Sequence, residues 1–348
     1  MIKNIYIYSL ITMLMNILVF IVVLLVYLHI FYHLKTSNDL EIYENDNMNK
    51  NNLEEILNLR QPVLMNHYSS ELDILTLNDL CKNYNNYEFN VRKNDIANDL
   101  VDKTTMIKSD LLHKLFENDN KYYSEKNEKF LNQSKLLNLL QNNDSLFKPP
   151  MTSESNYDLL FGGKGSSTKF KYDINYRNFL YVSDGTVNLK LSPPNNTKYM
   201  NLYKDYYNFE FISSINPFLK ESEQDMKNIS CINITLTKGQ LLFIPAYWWY
   251  SIQFNNSVII SSQYKTYMNQ VTILPEYFMS LMQKQNIKKK SKNKLYKEEV
   301  KEYIEKEVKG KERKETEVKG KEMNEKEKRK KMKKVKNELK EVKEKITK

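Results

Sequence analysis

The sequence predicts a mainly β jelly roll preceded by helices, carried behind one apolar amino-terminal helix and followed by a charged tail that is helical or disordered. Three observations lead there. The segment from Ile5 to Leu34 contains no Asp, Glu, Lys or Arg across 30 residues. After Pro149 the apolar pattern changes from helical spacing to short β-branched and aromatic runs. All eight prolines fall between Pro62 and Pro275, and five of the seven glycines fall between Gly162 and Gly239, so turn chemistry ends near residue 275.

The apolar segment is long enough for a membrane anchor, since about 20 apolar residues cross the hydrocarbon core. A cleaved signal would have a shorter apolar region, roughly 7–15 residues, and a small-residue cleavage site. No such site precedes Lys35. Residues 1–35 are therefore read as a transmembrane signal anchor, with Ile5–Leu34 as the contact with the membrane. Lys3 gives the amino end a slight positive bias, which favours a cytosolic amino terminus and a lumenal or external domain in the secretory pathway.

Residues 36–58 are rich in Asn and acidic side chains and read as a polar linker. The folded domain is expected over 59–283, with a helical part at 74–144 and the jelly roll at 145–275. In the helical part, Ser109 is placed to cap a helix presenting Leu111, Leu112, Leu115 and Phe116, and Leu136, Leu137, Leu139 and Leu140 suggest another. Strand candidates follow at Phe179–Val182, Val187–Leu191, Ile229–Leu236, Leu241–Ile244 and Val258–Ser262. Gly, Pro and Asn punctuate these runs, which suggests an all-β barrel or jelly roll. Cys81 and Cys231 are too few for a zinc site or a disulfide framework, although an oxidising lumen permits one disulfide.

The net charge of +10 belongs to the tail. Residues 284–348 hold 27 Lys and Arg against 14 Glu, which leaves the rest of the chain slightly acidic. The hexapeptide EVKGKE occurs at 307–312 and again at 317–322. Met332, Val335, Leu339, Val342 and Ile346 form a short heptad seam. Gly310 and Gly320 weaken a continuous helix, so coiled coil, solvated helix and disorder all remain open. Such a tail suits self-association or an anionic surface; nucleic acid is out of reach if the domain is lumenal.

Chemistry concentrates in two blocks. At 162–173 the chain reads GGKGSSTKFKYD, and at 239–249 it reads GQLLFIPAYWW; NFLYVSDGTVNLKLSPP lies between them at 178–194. Together these blocks resemble the JmjC and cupin-like family of double-stranded β-helix oxygenases, over roughly 60–270. Even Arg60-Gln-Pro-Val-Leu resembles the family's entry segment. The resemblance implies an Fe(II) site built from a His-x-Asp pair and a distant His, the facial triad that leaves positions open for oxygen and co-substrate.

Carried over residue by residue, the family pattern places Lys171 where the first His belongs, keeps Asp173, and puts Tyr250 in the place of the second His. Thr168 and Asn178 match polar positions near the co-substrate, and Val187 stands where a co-substrate lysine is expected. The spacing from Asp173 to Asn178 is one residue longer than is usual in the family, so a second register puts Tyr172 and Ile174 at the ligand positions. Neither register contains a histidine. The four histidines of the chain are His29, His33, His67 and His113, and none lies between 145 and 283. Trp248, Trp249, Phe243 and Ile244 read as core.

This pattern implies a degenerate metal site, with no catalytic residue and no cofactor expected. Lys171 is expected to pair with Asp173 inside the barrel mouth and to meet Tyr250 there. The function that follows is a membrane-anchored binding or scaffolding module with an unknown protein partner. The alternative class is an Fe(II) and 2-oxoglutarate dioxygenase acting on protein or RNA through atypical ligands. A third reading places the function in the tail.

Overall fold

The computed structural model describes residues 2–45, 49–69, 72–73, 75–84, 86–93, 103–109, 112, 115–116 and 121–285. The tail repeat and heptad seam lie outside the described residues, as does Leu111.

The chain begins with helix α1, Ile2–Leu34. Its stretch Tyr6–Leu34 is long and apolar enough to cross a membrane, and none of its most apolar window is buried. The helix ends against the domain. Arg60 Nη1 donates to the carbonyls of Tyr32, His33 and Lys35 at 2.9, 2.6 and 2.7 Å. The His33 ring stacks on Tyr176 with centroids 5.2 Å apart.

The segment expected to be a linker is partly folded. Strand β1 (Tyr43–Asn45) runs parallel to β2 (Val63–Asn66). Helix α2 (Lys50–Leu57) starts at Asn49, whose side chain accepts from the Asn51 amide, and it buries Leu53, Ile56 and Leu57. Glu54 of this helix pairs with the buried Arg177. The composition of 36–58 looked disordered because its few apolar residues sit at helical spacing among Asn and Glu. Those few were enough to dock it.

The segment 74–144 is also corrected. Short helices are present, at α3 (Leu77–Lys82), Glu128–Gln133 and Leu136–Gln141. They share the segment with three strands, β3 (Glu88–Lys93), β4 (Lys103–Lys108) and β5 (Tyr122–Ser124), which extend the main sheet. The alternation Phe89-Asn-Val-Arg carries that signal, with Phe89 and Val91 buried. Leu112 and Phe116 are buried as expected, and the Ser109 hydroxyl donates to the carbonyls of Leu80 and Cys81; most of the helix it was expected to cap lies outside the described residues. Cys81 and Cys231 are both thiols.

From residue 152 the jelly roll follows: β6 (Thr152–Gly162), β7 (Lys171–Tyr172), β8 (Arg177–Ser192), β9 (Leu202–Asp205), β10 (Glu210–Ser213), β11 (Ile232–Thr237), β12 (Gln240–Ile244) and β13 (Trp249–Thr266). One layer is ordered β1-β2-β12-β8-β13-β6-β5-β3-β4, and the other β11-β8-β13-β7-β10-β9. Two long antiparallel strands, β8 and β13, serve both layers. Their register shifts between Asn255 and Ile259, opposite Gly185. Gly185 has φ +73°, and a Cβ there would lie 2.5 Å from the Asn256 carbonyl oxygen. The runs 179–182 and 187–191 are thus one bent strand, not two strands joined by a turn.

Alternation along both halves of this strand pair fills the space between the layers. Leu180, Val182, Val187, Leu189 and Leu191 meet Leu242, Ile244, Ile252, Phe254 and Ile259 there. Each such side chain contributes about 1.5–3 kcal/mol when fully buried. A second cluster joins Phe170, Tyr172, Ile174, Phe211, Trp249 and Ile273. Trp248 and Trp249 are both fully buried, and Phe243 and Ile244 nearly so, as the sequence indicated. Trp248 Nε1 donates to the Ser37 carbonyl at 3.1 Å, which ties the core to the segment leaving α1.

Candidate functional site

The segment after β6 runs antiparallel to the first half of β13. Gly165 N donates to Phe254 O (2.9 Å), Phe254 N to Ser166 O (2.8 Å) and Thr168 N to Ile252 O (2.8 Å). This ladder carries into β7 and sets Lys171 opposite Tyr250. Lys171 and Asp173 share one face by strand alternation. Tyr172 stacks on Phe211 and meets Trp249 edge-on, while Ile174 lies in the same aromatic cluster. Lys171, Asp173 and Tyr250 line a common cleft of about 610 Å³ at the edge of the barrel.

The contacts within the cleft differ from those expected. Lys171 Nζ pairs with Glu125, immediately after β5, and not with Asp173. Asp173 accepts from the Tyr250 hydroxyl at 2.7 Å. The ammonium also lies 5.5 Å from the centre of the Tyr250 ring. Glu125 is shared: Arg92 Nη1 approaches its other oxygen at 3.1 Å. Arg92 then holds Glu210, which also takes Lys126. A chain of charges therefore runs Lys171–Glu125–Arg92–Glu210–Lys126 through β3, β5, β7 and β10. A second carboxylate, Asp158 of β6, accepts from the backbone amides of Lys126 and Asn127, each at 2.7 Å.

The electrostatics follow from burial and from these partners. Burial works against the Lys171 ammonium, but Glu125 and then Asp173 outweigh it and raise its pKa. Burial would raise the Glu125 carboxyl; Lys171 and Arg92 overcome this and hold it below the usual range. Glu210 is depressed to about 2, against its own desolvation, by Arg92 and Lys126. Asp173 moves upward, because desolvation outweighs Lys171 and the Tyr250 hydrogen bond. Asp158 is raised to about 6 by burial despite its backbone donors. Burial and the adjacent Asp173 push the Tyr250 phenol well above its ordinary value.

The remaining family positions are committed to structure. Thr168 lines the cleft, but its hydroxyl accepts from the Ile252 amide at 3.0 Å. Asn178 is buried; it donates to the Ile244 carbonyl at 3.1 Å and accepts from Asn175 at 3.1 Å. Val187 lies in the core, between Leu236 and Phe254 on the neighbouring strands. The residues that sequence reasoning missed are Arg92, Glu125, Lys126, Asp158 and Glu210. Only the alternation around Arg92 hinted at their placement: Glu125, Lys126 and Glu210 sit at strand ends or in turns without a motif, and Asp158 lies within β6 as one acid among polar residues.

With this geometry in place, the comparisons with known proteins are decisive for the family. A profile of the cupin-like domain matches residues 48–278. The chain belongs to the cupin-like domain family. The chain is also 29% identical over 107 residues to HSPB1-associated protein 1 of Rattus norvegicus and of Bos taurus. That match covers 30% of this chain and 22% of each relative, so this chain spans under a quarter of the curated relatives it matches.

An iron ion does not fit the residues that this cupin-like domain places at the family positions. The protonated Lys171 has no lone pair and is engaged by Glu125. Tyr250 is a neutral phenol that donates its proton to Asp173. Only Asp173 retains a ligand oxygen. Among the described residues, no group of three or more His, Cys, Asp or Glu side chains is arranged to hold a metal ion.

Proposed function

We propose that the cupin-like domain works as a binding or scaffolding module held at a membrane by Ile5–Leu34, without iron-dependent oxygenase chemistry. The observation that carries this reading is the Lys171–Glu125 ion pair, which puts a paired ammonium where the family pattern calls for a neutral imidazole. An ammonium there also repels a divalent cation. The slight positive bias at Lys3 favours a lumenal or external domain.

The cleft retains features suited to a ligand. Its charges alternate along one chain in which Glu125 and Glu210 are each shared by two cations, so a charged partner can exchange with residues already there. The buried Arg92 Nε has no hydrogen-bond partner among the described residues. An unsatisfied buried donor costs about 1–3 kcal/mol, so this guanidinium is the strained member of the network. The two relatives are named for an association with another protein, which accords with a binding role.

The test is iron content and 2-oxoglutarate decarboxylation by the full chain, loaded anaerobically with Fe(II). No bound iron and no decarboxylation above background are expected. Stoichiometric iron, with decarboxylation abolished by Asp173→Ala, would establish the dioxygenase reading instead. A binding role also predicts that a cross-linker placed at the cleft rim captures a defined partner from its native membrane, and that Lys126→Glu abolishes this capture. Deleting 284–348 should leave the capture intact; its loss would move the function to the tail.

A further inference from the structure

The two last described helices carry an apolar face that nothing in the domain covers. Tyr267, Val271, Leu274, Phe278 and Leu281 recur at spacings of four and three, with Met282 beside them, and all six are exposed. Phe278 alone leaves 62% of its surface open. The opposite face of the same helices, Tyr267–Thr272 and Leu274–Lys284, is seated in the domain through Asn269, Ile273 and Ser280. The face is therefore fixed in position, and side chains of this size at helical spacing are more than scattered surface apolar residues.

Its position indicates what covers it. Helix Tyr267–Thr272 packs beside α1. Among the described side chains of α1, exposure drops only at Ile30 and His33, near the end that Arg60 clamps through three carbonyls. About 20 residues of a helix cross the hydrocarbon core. Of Tyr6–Leu34, the final two turns therefore emerge at the headgroups, and these are the turns that meet the domain. The clamp, the His33–Tyr176 stack and the Trp248–Ser37 hydrogen bond leave little slack between anchor and domain.

We infer that the exposed face of Tyr267–Met282 lies on the same bilayer that α1 enters, as an interfacial helix pair that holds the cupin-like domain flat on the membrane. The occupant is the lipid surface: the face is apolar, and it continues from the membrane-entry point of α1. This inference rests on the reading of α1 as a membrane span.

The experiment uses the full chain reconstituted in bilayers with and without brominated acyl chains. Tryptophan is introduced by Phe278→Trp, and by Tyr68→Trp as a control at the far end of β2 from Arg60. Trp248 and Trp249 are fully buried and give a constant background. Brominated lipid should remove most of the fluorescence added by Phe278→Trp and little of that added by Tyr68→Trp. Equal, weak quenching of both variants in protein that resists alkaline carbonate would overturn the docking while leaving the anchor. Shielding of the Phe278→Trp position without quenching, together with two chains per bilayer disc, would also overturn it by assigning the face to a second copy. Release of the protein by carbonate would remove the anchor reading and the docking with it.

Discussion

The space between the two sheet layers and the cleft at their edge are built from the same strands, yet they are stabilised in opposite ways. Between the layers, β8, β12 and β13 present aliphatic and aromatic side chains to one another, and any one contact can be replaced by a neighbour of similar volume. In the cleft, β3, β5, β7 and β10 present alternating charges, each of which depends on a named partner. An apolar core loses stability in proportion to the volume removed. A buried charge network loses it according to which ion is orphaned.

Several experiments sharpen that contrast. The largest effect is expected at Arg92, the centre of the network. Arg92→Ala leaves Glu125 and Glu210 short of a partner and should cost about 3–5 kcal/mol, read by denaturant unfolding. A cost below that of a surface substitution would show that water already screens the cleft. Leu189→Ala, in the core, should cost about 3 kcal/mol from lost transfer energy and the cavity left behind. Leu189→Met should recover most of it, whereas Arg92→Lys should recover little, because one ammonium cannot serve both carboxylates.

Lys171→Ala should cost less than Arg92→Ala, since Glu125 keeps Arg92 and Asp173 keeps Tyr250. Tyr250→Phe removes one hydrogen bond from a desolvated carboxylate and should cost about 1–3 kcal/mol. Phe278→Ser, on the exposed helix face, should change folding stability by no more than about 0.5 kcal/mol in detergent.

pH separates two neighbouring carboxylates of the cleft. Glu210 has a folded pKa of about 2, below its ordinary 4.5, so its contribution is present above that ordinary value and is lost as pH falls through about 2. Asp158 has a folded pKa of about 6, above its ordinary 3.8, so its contribution is full below 3.8 and is lost as pH rises through about 6. Unfolding measured from pH 3 to 8 should therefore show a decline between about pH 4 and 6 that Asp158→Asn flattens. Persistence of the decline in that variant would assign it to another group.

The amino-acid sequence alone determined the features that depend on local pattern. Thirty residues without a charge specify the apolar helix whatever follows it. The β-branched and aromatic runs after Pro149 specify strands, and period-two alternation puts Lys171 and Asp173 on one face, while the place of Tyr250 opposite them was implied by the family resemblance alone. The absence of histidine beyond 145 was likewise plain. Tertiary structure decided the rest, because strand pairing and ion pairing are contacts between distant segments. Residues 88–93, 103–108 and 122–124 became strands that extend the sheet from the edge of β6, and 43–45 and 50–57 folded by docking on β2 and Arg177. The partner of Lys171 was likewise set by the fold. Asp173, two residues away, was the nearest acid in sequence, but β5 brings Glu125 to the ammonium from 46 residues away. A buried ion takes the partner that the packed strands put within reach, whatever the separation along the chain.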